Sequence, residues 1–156
     1  MKQAKVLIAR DDGEYHIKVA GRANFECSPP LRNFANSLEG QECKGIFINL
    51  AECAGMDSTF MGILAMIGLK AKKFGCTVNI VNADENGKKL LNGLGLQKIN
   101  NYIEVSEIED NQRWTDAGKS SDKTEKAETV LEAHETLMEV DKQNVPRFKN
   151  VVEFVK

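Results

Sequence analysis

One strand–helix–strand pattern constrains the fold of this 156-residue sequence more than any other feature. A short apolar run, 45–50, precedes a helical stretch, 58–74, and a second apolar run, 77–81, follows it. Gly75 favours the end of the helix, and three lysines in its last turn suit the negative pole of the helix dipole. Two strands joined through a helix pair in parallel with a right-handed crossover. The pattern therefore predicts a parallel α/β sheet.

The rest of the first two thirds extends this pattern. Strands are predicted at 6–10, 15–19 and 102–105, an Asp-Gly hairpin turn at 11–14, and helices at 28–40 and 85–94. Alternation places Tyr15, Ile17 and Val19 on a buried face and His16 on the solvent face. Ser28 is expected to cap its helix. The prediction is a mostly parallel sheet with helices and one antiparallel hairpin.

The composition changes after residue 109. Residues 1–109 form the predicted domain, 110–122 a polar linker, and 123–156 two amphipathic helices. The apolar stripe of the first of these helices comprises Ala127, Val130, Leu131, His134, Leu137 and Met138. Because such a stripe gains free energy when buried, the helices are expected to dock on their own domain or on a second copy, which would give a homodimer. His134 is expected to be a partly buried packing residue.

Charge and hydropathy exclude several classes of partner. The net charge of −2 gives no electrostatic case for nucleic acid. No apolar run approaches the ~20 residues that a membrane-spanning helix needs, so no membrane insertion is predicted. The first residues lack the apolar core of a signal peptide, and we predict a cytoplasmic protein.

The four cysteines are expected to be reduced and to serve as small apolar residues. None forms a Cys-x-x-Cys pair, and only two histidines are available to assist in metal binding. The sequence therefore predicts no metal site and no cofactor. The two histidines also lie on unrelated elements, so no Ser/His/Asp triad is predicted.

The start of the helix at 58–74 carries the main candidate chemistry. Asp57 or Ser58 is suited to cap the helix by accepting hydrogen bonds from its first N–H groups. A hydroxyl at this position lies where free N–H groups and the helix dipole favour added negative charge. Ser58 is therefore a physically reasonable phosphoacceptor.

This stretch resembles the STAS domain of bacterial anti-sigma-factor antagonists. Asp-Ser-Thr-Phe-Met-Gly, 57–62, resembles the Asp-Ser-Ser-Gly-Leu-Gly pattern of that family: Ser58 and Gly62 match, and Phe60 replaces its first glycine. Gly-Arg-Ala-Asn, 21–24, stands for the family's Gly-x-x-Asp, with Asn24 in place of the acid. The resemblance spans residues 6 to 105, about two thirds of the chain.

The resemblance implies a non-enzymatic phosphoswitch. The unphosphorylated chain would sequester an anti-sigma serine kinase and free a sigma factor, the kinase would phosphorylate Ser58, and a serine phosphatase would reset the switch. The partner surface that this resemblance suggests comprises Asn24, Met56, Asp57 and Thr59.

Met61 and Met66 extend this predicted partner surface. They lie off the stripe formed by Phe60, Ile63 and Ile67, so the helix is apolar nearly all round. Such a helix either exposes an adhesive patch, for which methionines are well suited, or is covered by its neighbours or the C-terminal segment.

Two other functions fit parts of the sequence. STAS-like domains also serve as accessory modules of lipid-transport or membrane-associated complexes. A receiver-type phosphoacceptor site would gather Asp11, Asp12 and Asp57 around a magnesium ion. Against the receiver, a hairpin strand follows Asp12, Asp57 lies well past the predicted strand end at Leu50, and no lysine ends the last strand.

Overall fold

A computed structural model describes residues 4–106, 113–118 and 122–156. The strands are β1 (Lys5–Asp11), β2 (Glu14–Ala23), β3 (Gly45–Met56), β4 (Val78–Val81), β5 (Asn101–Ile103) and β6 (Thr115–Asp116). The α-helices are α1 (Ser28–Ser37), α2 (Ser58–Lys73), α3 (Glu85–Gly93), α4 (Lys123–Val140) and α5 (Asn144–Val155), and a short 3-10 helix spans Leu96–Lys98.

The six strands form one mixed sheet in the order β5-β4-β3-β2-β1-β6. Strands β2 to β5 are parallel, whereas β1 is antiparallel to both β2 and β6. The turn between β1 and β2 places Asp12 and Gly13 at φ 49° and 85°, the left-handed conformation that an Asp-Gly hairpin turn uses. The predicted α/β fold with a mostly parallel sheet is confirmed.

The core lies between the sheet and the helices that cover it. Tyr15, Ile17 and Val19 are buried as their alternation predicted, and His16 is partly exposed and stacks on Phe47. In α2, 11 of 16 residues are buried, because α1 and α4 both pack against it. This two-sided cover explains why α2 is apolar nearly all round.

Strand β3 is longer than predicted. It continues past Leu50 to Met56, paired with the end of β2 through Ala23 and Met56. Asp57 therefore follows its strand directly, and the distance from Leu50 was a wrong argument against a receiver-type site. Backbone pairing with β2 carries the strand through residues that lack an apolar pattern, which is why the sequence signal ended early.

The predicted polar linker contains an edge strand. Within 110–122, the described residues include β6, which pairs with β1 at Leu7 and Ile8. Ala117 N–H also donates to the carbonyl of Val6. The other part of the predicted linker, 110–112 and 119–121, lies outside the described residues.

Ser28 does not cap α1 as predicted. Its hydroxyl is fully buried and donates to the carbonyl of Asn24 at 2.8 Å, and Cys27 occupies the cap position without a side-chain bond to the N–H groups of the helix. Because Pro29 and Pro30 both lie in the first turn, that turn has two N–H groups fewer to satisfy. The hydroxyl instead closes the loop that precedes the helix.

Two of the four cysteines are paired, so the prediction that all four are reduced is wrong. Cys43 and Cys76 form a disulfide with a Cα–Cα distance of 5.8 Å. They precede β3 and β4, and Ile46 pairs with Val78. Because the two strands are parallel, the segments that precede them lie side by side at the same end of the sheet. Cys27 and Cys53 are free. Disulfides persist mainly in oxidising compartments, and the cytoplasmic location stays a prediction.

The two C-terminal helices dock on their own domain, which is one of the two arrangements that the sequence predicted. Helix α4 packs on α2, and α5 returns along α4. The inward face of α4 comprises Thr129, Ala133, His134 and Leu137. Ala127 is exposed, so its place in the predicted stripe is wrong. The homodimer stays a prediction.

Polar contacts fix both ends of this helical pair. Arg32 of α1 pairs with Glu128 and Glu132 of α4. Lys98 pairs with Asp141 at 3.0 Å, and the buried amide of Asn144 donates to the carbonyls of Leu94 and Leu137. In the described part of the chain, no helix is long and apolar enough to cross a membrane.

Candidate functional site

Asp57 joins two loops at the carboxyl edge of the sheet. One of its carboxylate oxygens accepts from the N–H of Phe60 at 2.8 Å, so Asp57 is the N-cap of α2. The other accepts from the N–H of Phe25 at 2.9 Å, in the loop after β2. Burial raises the pKa of the Asp57 carboxyl, although these two N–H donors oppose that rise.

Asn24 organises the neighbouring loop. Its side-chain oxygen accepts from the N–H of Glu26, and its carbonyl accepts from the hydroxyl of Ser28. The N–H of Asp57 donates to the carbonyl of Ala23, so the ends of β2 and β3 meet here. The structure therefore brings together Asn24, Asp57 and Ser58, as the sequence analysis expected for one surface.

Ser58 lies directly against a histidine from the C-terminal helix. Its Oγ is 2.7 Å from Nε2 of His134, and Nδ1 of the same ring is 2.7 Å from the carbonyl of Val130. Because a carbonyl only accepts, Nδ1 carries a proton, and Nε2 is an acceptor when the ring is neutral. In that tautomer, the hydroxyl of Ser58 donates to His134.

His134 is more deeply buried than predicted. It is 3% exposed, and its ring meets that of Phe148 of α5 edge-on, with the centroids 5.0 Å apart. Ser58 itself is only partly buried. The imidazole is thus a fixed hydrogen-bond acceptor in a dry position beside a hydroxyl that stands at the edge of solvent.

Serine and histidine form a pair here, but no triad. The carboxylate of Asp57 accepts from two backbone N–H groups, and the outer nitrogen of His134 faces a carbonyl of its own helix. A triad needs a carboxylate at that nitrogen to stabilise the imidazolium that forms during catalysis. The reason given for expecting no triad, that the two histidines lie on unrelated elements, does not hold for His134, because α4 packs on α2 and brings this histidine to Ser58.

The remaining predicted partner residues lie in different surroundings. Thr59, Met61 and Met66 are buried, at 4%, 5% and 7% exposure, so the open adhesive patch is absent in this docked arrangement of the described residues. Met56 is partly buried and lies near Gly87 of α3, beside a cleft lined by Leu50, Ala83 and Leu90. Their role in partner binding stays a prediction.

Helices α2 and α4 approach each other very closely at Gly62. A β-carbon on Gly62 would collide with the carbonyl oxygen of Ala133 and would lie 2.7 Å from its β-carbon. Sequence reasoning missed this contact, as well as His134 beside Ser58 and the Arg32 ion pairs. The available signal was the small-residue positions Gly62 on α2 and Ala133 on α4, which are typical of closely packed helices.

No group of three or more His, Cys, Asp or Glu side chains able to hold a metal ion occurs among residues 4–106, 113–118 and 122–156. Asp57, the acid that a receiver-type site would need, is bonded to two backbone N–H groups at the start of α2. The chemistry available at this edge is therefore that of a hydroxyl, an imidazole and a helix N-terminus.

Comparison with known proteins relates the fold to one class. No protein-family model and no curated protein matches the sequence. Among solved structures, the anti-sigma factor antagonist SpoIIAA in its unphosphorylated form matches with a TM-score of 0.56 and 13% identity, covering 65% of this chain and 89% of that one. The phosphorylated form of the Bacillus cell fate determinant SpoIIAA gives 0.55 and 15%, covering 66% and 92%.

A candidate anti-sigma factor antagonist from Thermotoga maritima also matches, with a TM-score of 0.52 and 16% identity, covering 64% of this chain and 85% of that chain. The shared feature is the fold, since all three identities are low. The chain has a STAS-like fold, similar to that of anti-sigma factor antagonists.

Proposed function

We propose that this chain is a phosphorylatable protein-binding switch of the anti-sigma-factor-antagonist type. Ser58 is the phosphoacceptor, and the partner is an anti-sigma serine kinase that the unphosphorylated chain binds. A serine phosphatase would reset the switch. The chain itself is not an enzyme in this proposal.

One observation carries the proposal most directly: Ser58 is a partly exposed serine at the first residue of α2, immediately after the Asp57 cap. The N-terminus of a 16-residue helix favours an added phosphate through its free N–H groups. Thr59 is 4% exposed, so its hydroxyl is a poorer substrate than that of Ser58. The fold supports the same function, because SpoIIAA is known in an unphosphorylated and a phosphorylated form.

Phosphorylation would change the charge of a partner interface. A phosphoserine adds about −1.5 to −2 charges, here beside the carboxylate of Asp57. A kinase docked on this edge would have to desolvate both groups, which costs more than burying a neutral hydroxyl. Modified Ser58 would therefore release the kinase. We find no structural feature that favours the lipid-transport accessory function over this one.

Site-resolved mass spectrometry of the chain isolated from its own cells, at rest and under stress, tests the assignment. We expect phosphate on Ser58 in one condition and its loss in the other. A Ser58→Ala chain expressed in the same cells is the control and should carry no phosphate in this peptide. Phosphate on Thr59 with Ser58 unmodified would contradict the proposal.

A further inference from the structure

The face of α2 that carries Ser58 is covered by the chain's own C-terminal helices. Ser58, at the first turn of α2, contacts His134, and Gly62, one turn later, contacts the backbone of Ala133. One further turn along α2, Met66 lines a groove together with Glu132 and Thr136 of α4. The covering helix thus follows α2 for at least three successive turns from the phosphoacceptor.

From this geometry we propose that the Ser58 face of α2 is a helix-docking surface that α4 and α5 occupy in place of a partner protein. The partner must displace them to reach Ser58. This inference rests on the proposed function of Ser58 as a phosphoacceptor, and it adds the chemistry of the helix that the surface accepts.

The resident helix shows what the surface selects. Opposite Gly62 it places a small residue, Ala133, whose backbone lies so close that a β-carbon on Gly62 would collide with it. Opposite Ser58 it places a hydrogen-bond acceptor, the Nε2 atom of His134. Beside Arg32 it places two acids, Glu128 and Glu132. A competing partner helix therefore carries an acidic row, a small residue and an acceptor at similar spacing.

A phosphate on Ser58 would disturb this contact. Oγ lies 2.7 Å from Nε2 of His134, and phosphorylation replaces the hydroxyl proton with a bulky, charged group. His134 is 3% exposed, so little space is free on its side of Ser58. We therefore expect phosphorylation of Ser58 to weaken the docking of α4 at the start of α2.

The contacts that hold α4 and α5 on the domain are few and lie at its periphery. They include one close helix crossing, the Arg32 and Lys98 ion pairs, and hydrogen bonds from Asn144 and Arg147 to backbone carbonyls. Such a peripheral unit opens with a lower free energy than the central sheet. Opening can therefore precede partner binding.

Accessibility of position 58 can be measured without any partner or kinase. In the full chain carrying Ser58→Cys, with the Cys43–Cys76 disulfide kept under non-reducing conditions, iodoacetamide alkylates the introduced thiol at a rate followed by peptide-resolved mass spectrometry. Burial raises the pKa of the Cys27 and Cys53 thiols, so both react slowly and serve as internal references.

Two variants of α4 make the matched comparison. Ala133→Asp introduces a charge at a fully buried contact with Gly62, whereas Ala127→Asp makes the same change at an exposed position of the same helix. We expect Ala133→Asp to raise the alkylation rate at least about tenfold, the factor that corresponds to ~1.4 kcal/mol of lost closure. Ala127→Asp should leave the rate within about twofold of the Ser58→Cys chain.

Hydrogen exchange identifies the cause. Amides 130–138 should lose protection in Ala133→Asp, while amides of Ile17 and Ile48 in the sheet keep theirs. If the sheet also loses protection, Leu137→Ala is used in place of Ala133→Asp, with the same expected outcomes. This variant removes buried contact without adding charge. The inference would be overturned if hydrogen exchange showed α4 undocked while position 58 was alkylated no faster than in the Ser58→Cys chain. Rapid alkylation of position 58 while α4 stays protected would also overturn it. Neither result depends on whether Ser58 is phosphorylated in cells.

Discussion

The β3–α2–β4 unit and the α4–α5 pair are attached to the fold in different ways. In α2, 11 of 16 residues are buried and nearly all are apolar, whereas in α4 only four of 18 are buried and two of those are polar. The central unit is stabilised by apolar area, at roughly 25 cal/mol per Å². The C-terminal pair depends on one close helix crossing and on a few polar bonds. From this comparison we expect the pair to open with a lower free energy than the sheet.

Removing the disulfide should separate the two regions most clearly, because it acts on the sheet alone. The Cys43–Cys76 bond closes 33 residues of chain at the amino ends of β3 and β4. Removing a bond of this kind costs about 2–4 kcal/mol of unfolding free energy. We expect a Cys43→Ala, Cys76→Ala double variant to show this loss in urea unfolding.

The same variant should leave α4 docked. Hydrogen exchange of amides 130–138 is measured under conditions in which the sheet is still folded. The protection of these amides should fall by no more than the loss of global stability accounts for. Selective loss of α4 protection would show that the disulfide also supports the C-terminal pair, and the proposed independence of the two regions would fail.

The second prediction acts on the C-terminal pair instead. Gly62→Ala places a β-carbon in collision with the Ala133 carbonyl oxygen, so α4 must shift away from α2. Overpacking of this kind costs about 1–3 kcal/mol. We expect a lower melting temperature and faster exchange in α4, with the β2 and β3 amides less affected.

Gly93→Ala is the matched control for this change. A β-carbon on Gly93 meets no atom within 4 Å, and alanine is favoured over glycine in a helix by roughly 0.5–1 kcal/mol. This control should be neutral or slightly stabilising. A neutral Gly62→Ala would mean that the two helices are separated more widely in solution than their close crossing indicates.

The third prediction measures the contact between the two regions at Ser58. A double-mutant cycle of Ser58→Ala and His134→Ala should give a coupling energy of about 0.5–1.5 kcal/mol, the net contribution of a hydrogen bond. The cycle removes the separate loss of His134 packing against Phe148. A second cycle of Ser58→Ala with Phe148→Ala should show little coupling, and a coupling near zero in the first cycle would disprove the Ser58–His134 bond.

The sequence predicted the local elements well because their signals are local. The apolar run at 45–50, the glycine stop at Gly75 and the Asp-Gly turn each depend on near neighbours, and the helices at 123–140 and 144–155 follow their apolar periodicity. The same reasoning placed the helix start at 57–58 and named Asp57 or Ser58 as the cap, and Asp57 is the residue that caps α2. It failed where distance in the chain is large.

Contacts between distant segments needed the fold. His134 lies 76 residues from Ser58, and its approach depends on how α4 crosses α2 at Gly62. The disulfide depends on the parallel register of β3 and β4, which brings Cys43 and Cys76 together across 33 residues. The far half of β3 depends on pairing with β2. These contacts between distant segments cannot be inferred from the spacing of residues along the sequence.

The smallest expected effect concerns Asp57, where the loop of the central domain and the start of α2 share one carboxylate. Burial raises the pKa of Asp57 above the value of 3.8 that the group has without burial. The folded chain therefore holds this proton more tightly than the unfolded chain does. Because stability then falls as pH increases, the contribution of Asp57 declines between pH 3.8 and its raised pKa.

Asp57→Asn removes this titration and keeps a residue that caps helices well. Urea unfolding of both chains from pH 3.5 to pH 7 gives the unfolding free energy of the unchanged chain minus that of the variant. This difference should decrease as pH rises through the interval. Taking the difference cancels the other carboxylates, including Asp141, whose pKa is lowered by the N–H of Gln143 and by Lys98. A difference that shifts the opposite way would mean that the two N–H donors outweigh burial, and that the start of α2 favours negative charge even before Ser58 is modified.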